Sequence, residues 1–342
     1  MGWKDRVKGD PLSWLLEDDE SQPGVRYFAL RDLLGRPQND PEAREARSAV
    51  MATGPVPVIL AAQAAEGYWD KPGPGYAHKY TGTVWQTIFL AQLGADGAHP
   101  KVRAGCEYLL SHAIAAHGGL SVNATPSAFI HCHSGNLLAS LLELGWSEDA
   151  RVGKALDYLA RMATGEGIAG AEATDIVRRY YKSGTTGPDF ACVANGGLPC
   201  AWGAVKAMLA LGKVRLEQRT PAVKAAIERG SAFLLSRDPA VADYPTAGGT
   251  KPSSSWFKFG WPSGYVTDIL QNLRALAALG YARGPRLANA LALVESKQDA
   301  QGRWKMEYSY NGKMWIDIEK KGQPSKWVTL RALRVLKAAY GE

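Results

Sequence analysis

The residues best suited to chemistry are a small set of cysteines and histidines. His131, Cys132 and His133 are consecutive. Cys192 and Cys200 follow in the glycine-rich string Phe-Ala-Cys-Val-Ala-Asn-Gly-Gly-Leu-Pro-Cys. Thiolates and imidazoles in this mix hold zinc in a tetrahedron. The set Cys132, His133, Cys192 and Cys200 is therefore the expected metal site. The same thiols without metal can act as acids, bases or nucleophiles, with His131 as a partner. They can also be inert, since a free cysteine packs as a small hydrophobe. Cys106, in the amphipathic string before Glu107-Tyr108-Leu109-Leu110, is read that way. Asp268 lies in Tyr-Val-Thr-Asp-Ile-Leu, an otherwise apolar stretch. A carboxylate there is costly unless it is paired or functional. It is expected to be a general acid, with a helix cap or an ion pair to Lys79, Lys326 or Arg26 as the structural alternative.

These residues must be positioned by helices. Apolar segments with helical periodicity end in glycine at 35, 94, 145, 212, 280 and 341. Their spacing, about 60 residues, marks a repeat architecture. Between them lie half-polar helices, expected near 41–53, 100–116, 148–163, 220–236 and 284–298. Several of these open on proline, which suits a first helical turn. An all-apolar helix must be buried on every side, whereas a half-polar one faces water. Six such pairs predict an all-α fold, an (α/α)6 toroid with inner and outer helices, as one domain over residues 1–342. An open solenoid is the alternative. With the segments aligned on their stopping glycines, His133, Cys200 and Asp268 share one level. Lys79, Tyr80, His131, Lys326 and Trp327 stand one or two residues further out. The reactive groups thus gather at the N-terminal mouth of the inner ring. Adjacent inner helices lie about 8–10 Å apart, which lets neighbouring repeats share a site.

Composition bounds the rest. The 342 residues are 46% hydrophobic and 21% charged, with a net charge of +7. That is a globular composition. Lysine and arginine are dispersed, which argues against a nucleic-acid partner. No run is long enough to span a membrane. The charged N-terminal residues have no apolar stretch behind them, so a cytoplasmic location is expected.

Two strings, Gln63-Ala-Ala-Glu-Gly67-Tyr-Trp69 and Gln298-Asp-Ala-Gln-Gly302-Arg-Trp304, share the pattern Q-x3-G-x-W. This resembles the QW motif of squalene and oxidosqualene cyclases. The chain is similar to the terpenoid cyclase and protein prenyltransferase superfamily, and more closely to bacterial prenyltransferase-like proteins of about this length. The resemblance implies an α/α toroid with an apolar, isoprenoid-like substrate in its central cavity. It departs from the family in its acids. The nearest string to the cyclase D-x-D-D motif is Leu16-Glu17-Asp18-Asp19, and the magnesium-binding D-D-x-x-D is absent. Protein prenyltransferases and lanthionine cyclases hold zinc at inner-helix starts, and Cys132-His133 is similar to the Cys-His pair of the latter. His131, Cys192 and Cys200 resemble in order and spacing the His and two Cys of linalool dehydratase-isomerase.

The expected catalytic groups are Asp268, His131 and Tyr80. Lys79 and Lys326 are expected to hold an anionic head, and Trp85, Trp202 and Trp327 to wall an apolar tube. The long loops at about 164–199, 237–263 and 305–325 are expected to frame the entrance. Three functions remain open at this point. They are a cyclase- or prenyltransferase-like enzyme with zinc, a metal-free Cys/His dehydratase-isomerase, and a toroid that binds a ligand or peptide without chemistry.

Overall fold

A computed structural model describes residues 2–166 and 185–341. Its helices are α1 (Pro11–Leu16), α2 (Pro23–Phe28), α3 (Pro41–Ala52), α4 (Pro55–Ala61), α5 (Thr83–Leu93), α6 (Pro100–His112), α7 (His131–Glu143), α8 (Ala150–Thr164), α9 (Ala201–Leu211), α10 (Pro221–Leu235), α11 (Ile269–Ala278), α12 (Ala288–Ser296) and α13 (Lys326–Tyr340). A π-helical turn, Ala29–Leu33, extends α2. Two short strands, β1 (Trp304–Lys305) and β2 (Pro324–Ser325), pair antiparallel.

Hydropathy sorts the helices into two layers. In α5 every residue but Gln92 is buried. In α8 the charged residues keep to one side while Val152, Leu156, Leu159 and Met162 are buried. The buried helices α2, α5, α7, α9, α11 and α13 form the inner ring. It closes where α13 packs on α2 and Gly24 of α2 abuts the Leu93 carbonyl of α5. The helices α3, α6, α8, α10 and α12 back successive inner helices. The sixth outer position, beside α13, is taken by the N-terminal turn Trp3–Arg6 and α1. The fold is the all-α toroid that the repeat pattern predicts. Among the described residues, no helix is long and apolar enough to cross a membrane.

Five of the six stopping glycines have positive φ, as a left-handed cap requires. Gly212 does not; its φ is −65° and the chain leaves α9 right-handed.

Both Q-x3-G-x-W strings make the same staple. Trp69 Nε1 donates to Ile59 O at 2.7 Å, and Trp304 Nε1 to Val294 O at 2.7 Å. The backbone N–H of each tryptophan donates to a threonine on the next inner helix, Thr83 or Thr329. Gln63 reaches the next outer helix at Lys101 O, 3.0 Å. Gln298 instead grips the N-terminal segment, donating to Arg6 O (3.0 Å) and accepting from Lys8 N (2.7 Å). One motif therefore joins neighbours and the other closes the circle. Gly302 is obligatory in this lock: its φ is +73° and a Cβ would stand 1.9 Å from Lys8 O.

The lumen departs from expectation. It is not an open apolar tube. The segment 260–264 enters the ring and is tied to four inner helices. Arg331 donates to Gly260 O (2.6 Å), Gln92 exchanges two bonds with the Ser263 backbone, and Asn136 and Lys206 both donate to Gly264 O (2.8 and 2.6 Å). Trp261 stacks on Trp327 with centroids 4.6 Å apart. Burying a tryptophan removes roughly 150–250 Å² from water, about 4–6 kcal/mol of driving force. The backbone carbonyls that enter with Trp261 need donors, and polar side chains on otherwise apolar helices supply them.

Two outcomes are expected. Gln298→Ala should lower the unfolding free energy by roughly 1–3 kcal/mol, because it strands the Lys8 N–H. Hydrogen exchange at Lys8 should quicken with it; unchanged protection there would contradict the circle-closing role. Lys206 is fully buried, and burial pulls its pKa down to about 7 from 10.5. From about pH 7 to 10 the unfolded chain then holds a proton that the folded chain has released. Stability should rise with pH across that window, and Lys206→Met should flatten the rise in urea titrations.

Candidate functional site

The site begins with an unusually close pair of helices. Gly135 of α7 faces the backbone of α9, where a methyl group would stand 2.5 Å from the Lys206 carbonyl. With no side chain between them, the two helix starts come together. That brings Cys132, the second residue of α7, beside Cys200, the N-cap of α9. The loop before α9 supplies the third thiol. Ala191 and Pro199 pair as an isolated bridge, Cys192 N donates to Leu198 O at 3.1 Å, and Cys200 N donates to Phe190 O at 2.9 Å. This narrow hairpin sets Cys192 and Cys200 on the same cavity wall, close enough to shift each other's acidity. Asn195 pins it by donating to Pro199 O and Pro245 O, each at 3.0 Å.

All three thiols line a cavity of about 630 Å³. Its wall includes Tyr76, Trp202, Tyr244, Trp256 and Tyr265. Among the described residues, no Asp, Glu, Lys, Arg or His lines it. The walls are well fixed: Tyr244 Oη donates to Leu234 O (2.6 Å) and Trp256 Nε1 to Pro239 O (2.9 Å). The second of the three expected loops thus frames the entrance. The first falls partly on 167–184, outside the described residues. The third, 305–325, fills the other half of the mouth, where Tyr310 stacks on Tyr80 at 4.2 Å.

The thiols differ in acidity. The Cys200 S–H, and then the Ala194 and Asn195 backbone N–H groups, hold the Cys192 thiol well below the ordinary range against the pull of burial. Cys200 moves up, first because its proton is engaged by Cys192 and then because it is buried. Burial pushes Cys132 up to about 11. Cys192 is thus the first to ionise and Cys200 keeps its proton, a base and an acid side by side.

The expected zinc set does not assemble. Among the described residues, no group of three or more His, Cys, Asp or Glu is placed to hold a metal ion. The reason is helical geometry: consecutive residues point about 100° apart, so Cys132 alone of its triplet lines the cavity. His133 meets the edge of Tyr76 at 5.1 Å, and burial lowers its pKa to about 3. His131 packs against Phe129 and Phe190, and burial lowers its pKa to about 4.

The other expected site residues scatter. Asp268 caps α11, accepting from Gln271 N at 2.9 Å, and forms a bidentate pair with Arg331 at 2.7 and 2.9 Å. It is buried and outside the cavity wall. The structural alternative holds, with a partner that the sequence reading did not name. Lys326 pairs with Glu17 (3.3 Å) and Asp19 (3.1 Å), so it offers no free charge to an anionic head. Trp327 is occupied by Trp261 and donates to Gln22 at 2.6 Å. Tyr80 is buried in the tyrosine stack, and Trp85 beside it donates to Tyr76 O at 3.0 Å. Lys79 sits at the rim over the Tyr265 face, 4.8 Å from its centroid. Of the expected substrate wall, Trp202 alone lines the cavity. Tyr76, Tyr244 and Tyr265 were not singled out by sequence, since nothing in an aromatic loop residue distinguishes packing from lining.

Alkylation should read out the thiol pair. In limiting iodoacetamide, Cys192 should label first and should already react quickly near neutral pH. Cys200→Ala should slow it at pH 7, by removing the principal group that stabilises the thiolate. Equal labelling rates for all three cavity thiols, followed by mass spectrometry, would contradict the arrangement.

No protein-family model matches the chain, and no curated protein matches it. Solved structures similar to it include type II terpene cyclase MstE from Scytonema without ligand, at 15% identity over 82% of this chain and 95% of that one, TM-score 0.30. A variant of that cyclase in complex with geranylgeranyl dihydroxybenzoate is 16% identical over 83% of this chain and 94% of that one, TM-score 0.33.

Proposed function

We propose that the protein is a metal-free enzyme that moves protons on a neutral, largely apolar, isoprenoid-like substrate, as a dehydratase or isomerase does. The observation that carries this reading is that Cys192 and Cys200 share a cavity whose described wall bears no charged side chain; their opposite shifts in acidity support it. Such a wall rejects ions and polyols, since each hydroxyl buried without a partner costs about 1–3 kcal/mol. It favours chains, at roughly 0.8 kcal/mol per buried methylene. A cavity of about 630 Å³ suits a ligand of ordinary drug-like size. Tyrosine and tryptophan faces would steady a developing carbocation.

The chemistry follows from the two thiols. The Cys192 thiolate takes a proton from carbon next to a double bond or an incipient cation. The Cys200 thiol gives its proton to the far end of the double bond, or to a departing hydroxyl that leaves as water. The proton now on Cys192 then passes to the Cys200 thiolate, and both return to their first state. Cys132, with its raised pKa, stays neutral and shapes the wall.

The test is turnover in D2O of a panel of ten- and fifteen-carbon prenyl alcohols and alkenes, read by mass spectrometry. Isomerised products should carry deuterium on carbon. Cys192→Ser and Cys200→Ser should each cost about 10²–10⁴-fold in rate. Both variants should still be stabilised thermally by substrate. Substrate binding with no turnover in the unmodified protein, or turnover untouched by both substitutions, would sink the enzymatic reading.

A further inference from the structure

The ring has a second cavity on the other side of the 260–264 segment, reaching from the middle of the inner helices (Asn136, Lys206, Arg331) to the ends of α7 and α9 (Glu143, Lys213). It measures about 80 Å³, room for several waters or one tetrahedral oxyanion. Its lining is strongly basic: Lys206, Lys213, Arg274, Arg331 and Arg334 face it, with Glu143 as the carboxylate among them. Arg31, Asp32 and Asp268 stand just behind. Six cations thus meet three carboxylates.

Every carboxylate is already taken. Glu143 holds Arg31 (2.5 Å) and Lys213. Asp32 holds Arg31 (2.6 Å) and Arg334. Asp268 holds Arg331. Lys206 bonds only to neutral oxygens, on Gly264 and Gln271. Arg274 has no ion pair and no hydrogen bond among the described residues, so its five N–H donors are unspent. Arg334 has a side chain 10% exposed, and its Nε finds no hydrogen-bond partner among the described residues. Even with Lys206 neutral, two positive charges stay uncompensated in a partly enclosed space. Helix carbonyl ends draw cations to this face, but Arg274 donates to none of them. Uncompensated buried charge is costly, and a bound anion removes the cost.

We propose that this cavity is a binding site for a phosphoryl group, carried by free phosphate or by a small phosphate monoester. Lys213 follows α9, Arg274 is on α11 and Arg334 is on α13. Their donors converge from three helices, which suits the three oxygens of a phosphoryl group better than the flat edge of a carboxylate. The site lies across the 260–264 segment from the thiols, so it is separate from the proposed chemistry.

The experiment is calorimetry and thermal unfolding of the full chain with inorganic phosphate, glycerol phosphate and succinate at constant ionic strength. Fixed ionic strength removes general screening by surface charge. Phosphate should bind and raise the melting temperature, and Arg274→Gln should weaken it at least tenfold. Tighter binding of glycerol phosphate than of phosphate would assign the site to a monoester, and the reverse to the free ion. Phosphorus NMR line broadening on the unmodified protein gives the same answer if the variant fails to fold. No phosphate binding, succinate binding as tight as phosphate, or an unchanged affinity in Arg274→Gln would each overturn the proposal. Cys192→Ser should leave phosphate affinity as it is, so the two sites stand or fall separately.

Discussion

The Asp268–Arg331 pair is the interaction on which the interior depends. Both side chains are buried, and the guanidinium binds the carboxylate with two bonds. Asp268 also caps α11, and Arg331 also holds the Gly260 carbonyl. One contact thus fixes the start of a helix, the neighbouring helix and the entry point of the segment that fills the lumen. Two buried charges bring little net stability by themselves, because desolvation cancels most of their attraction. Losing one partner is another matter, at about 3–5 kcal/mol, since the other charge is stranded. The pair therefore specifies where things go more than it strengthens the fold. With the segment in place, the ring has two separate cavities in place of one channel.

The thiol cavity depends on a different constraint, the absence of a side chain at Gly135. Helix axes usually stay about 8–10 Å apart because side chains interdigitate. Here α7 approaches the α9 backbone directly. The approach is sequence-encoded, yet its effect is felt one turn away, where Cys132 and Cys200 come to share a wall. The narrow 191–199 hairpin then adds Cys192. The gathering of Cys132 and Cys200 is thus a by-product of backbone packing between α7 and α9.

The architecture was legible in the sequence because it rests on period and burial. Glycine stops, apolar inner helices and proline-led outer helices are local signals, and each repeats. The Q-x3-G-x-W strings named both staples, although only the structure shows that Gln298 closes the circle. The thiols were legible as a group, and the cavity does gather Cys132, Cys192 and Cys200. Of the expected zinc set, His133 turns away to Tyr76 while Cys132, Cys192 and Cys200 share the cavity wall, a difference of side-chain direction that spacing alone does not show. Asp268 was singled out as the charge in an apolar helix. The same signal was present at Lys206, Arg274 and Arg331, and following it would have shown the polar lumen. Partner choice was beyond reach. Lys326 pairs with Glu17 and Asp19, residues from the opposite end of the chain, and nothing local marks that pairing.

The two sides of the inserted segment carry opposite charge character, and helix polarity contributes to it at the thiol side. The inner helices run with their N-termini toward one face, where unpaired N–H groups and partial positive charge accumulate. A thiolate is most stable there, and the Cys192 thiol is lowered partly by backbone N–H groups. The C-termini gather at the other face with exposed carbonyls and partial negative charge, and Lys213, just past the end of α9, stands there; Lys206, Arg274, Arg331 and Arg334 line the same cavity from mid-helix positions. Neither set could be moved to the other end without loss. The cation that does open an inner helix, Lys326, is held by Glu17 and Asp19, and a thiolate among the carbonyl ends would be driven back to the thiol. The filled lumen keeps the two environments apart, because the 260–264 segment places a stacked pair of tryptophans and a row of satisfied carbonyls between them. The thiol cavity and the basic cavity are thus kept apart by one inserted loop, held by side chains of four inner helices.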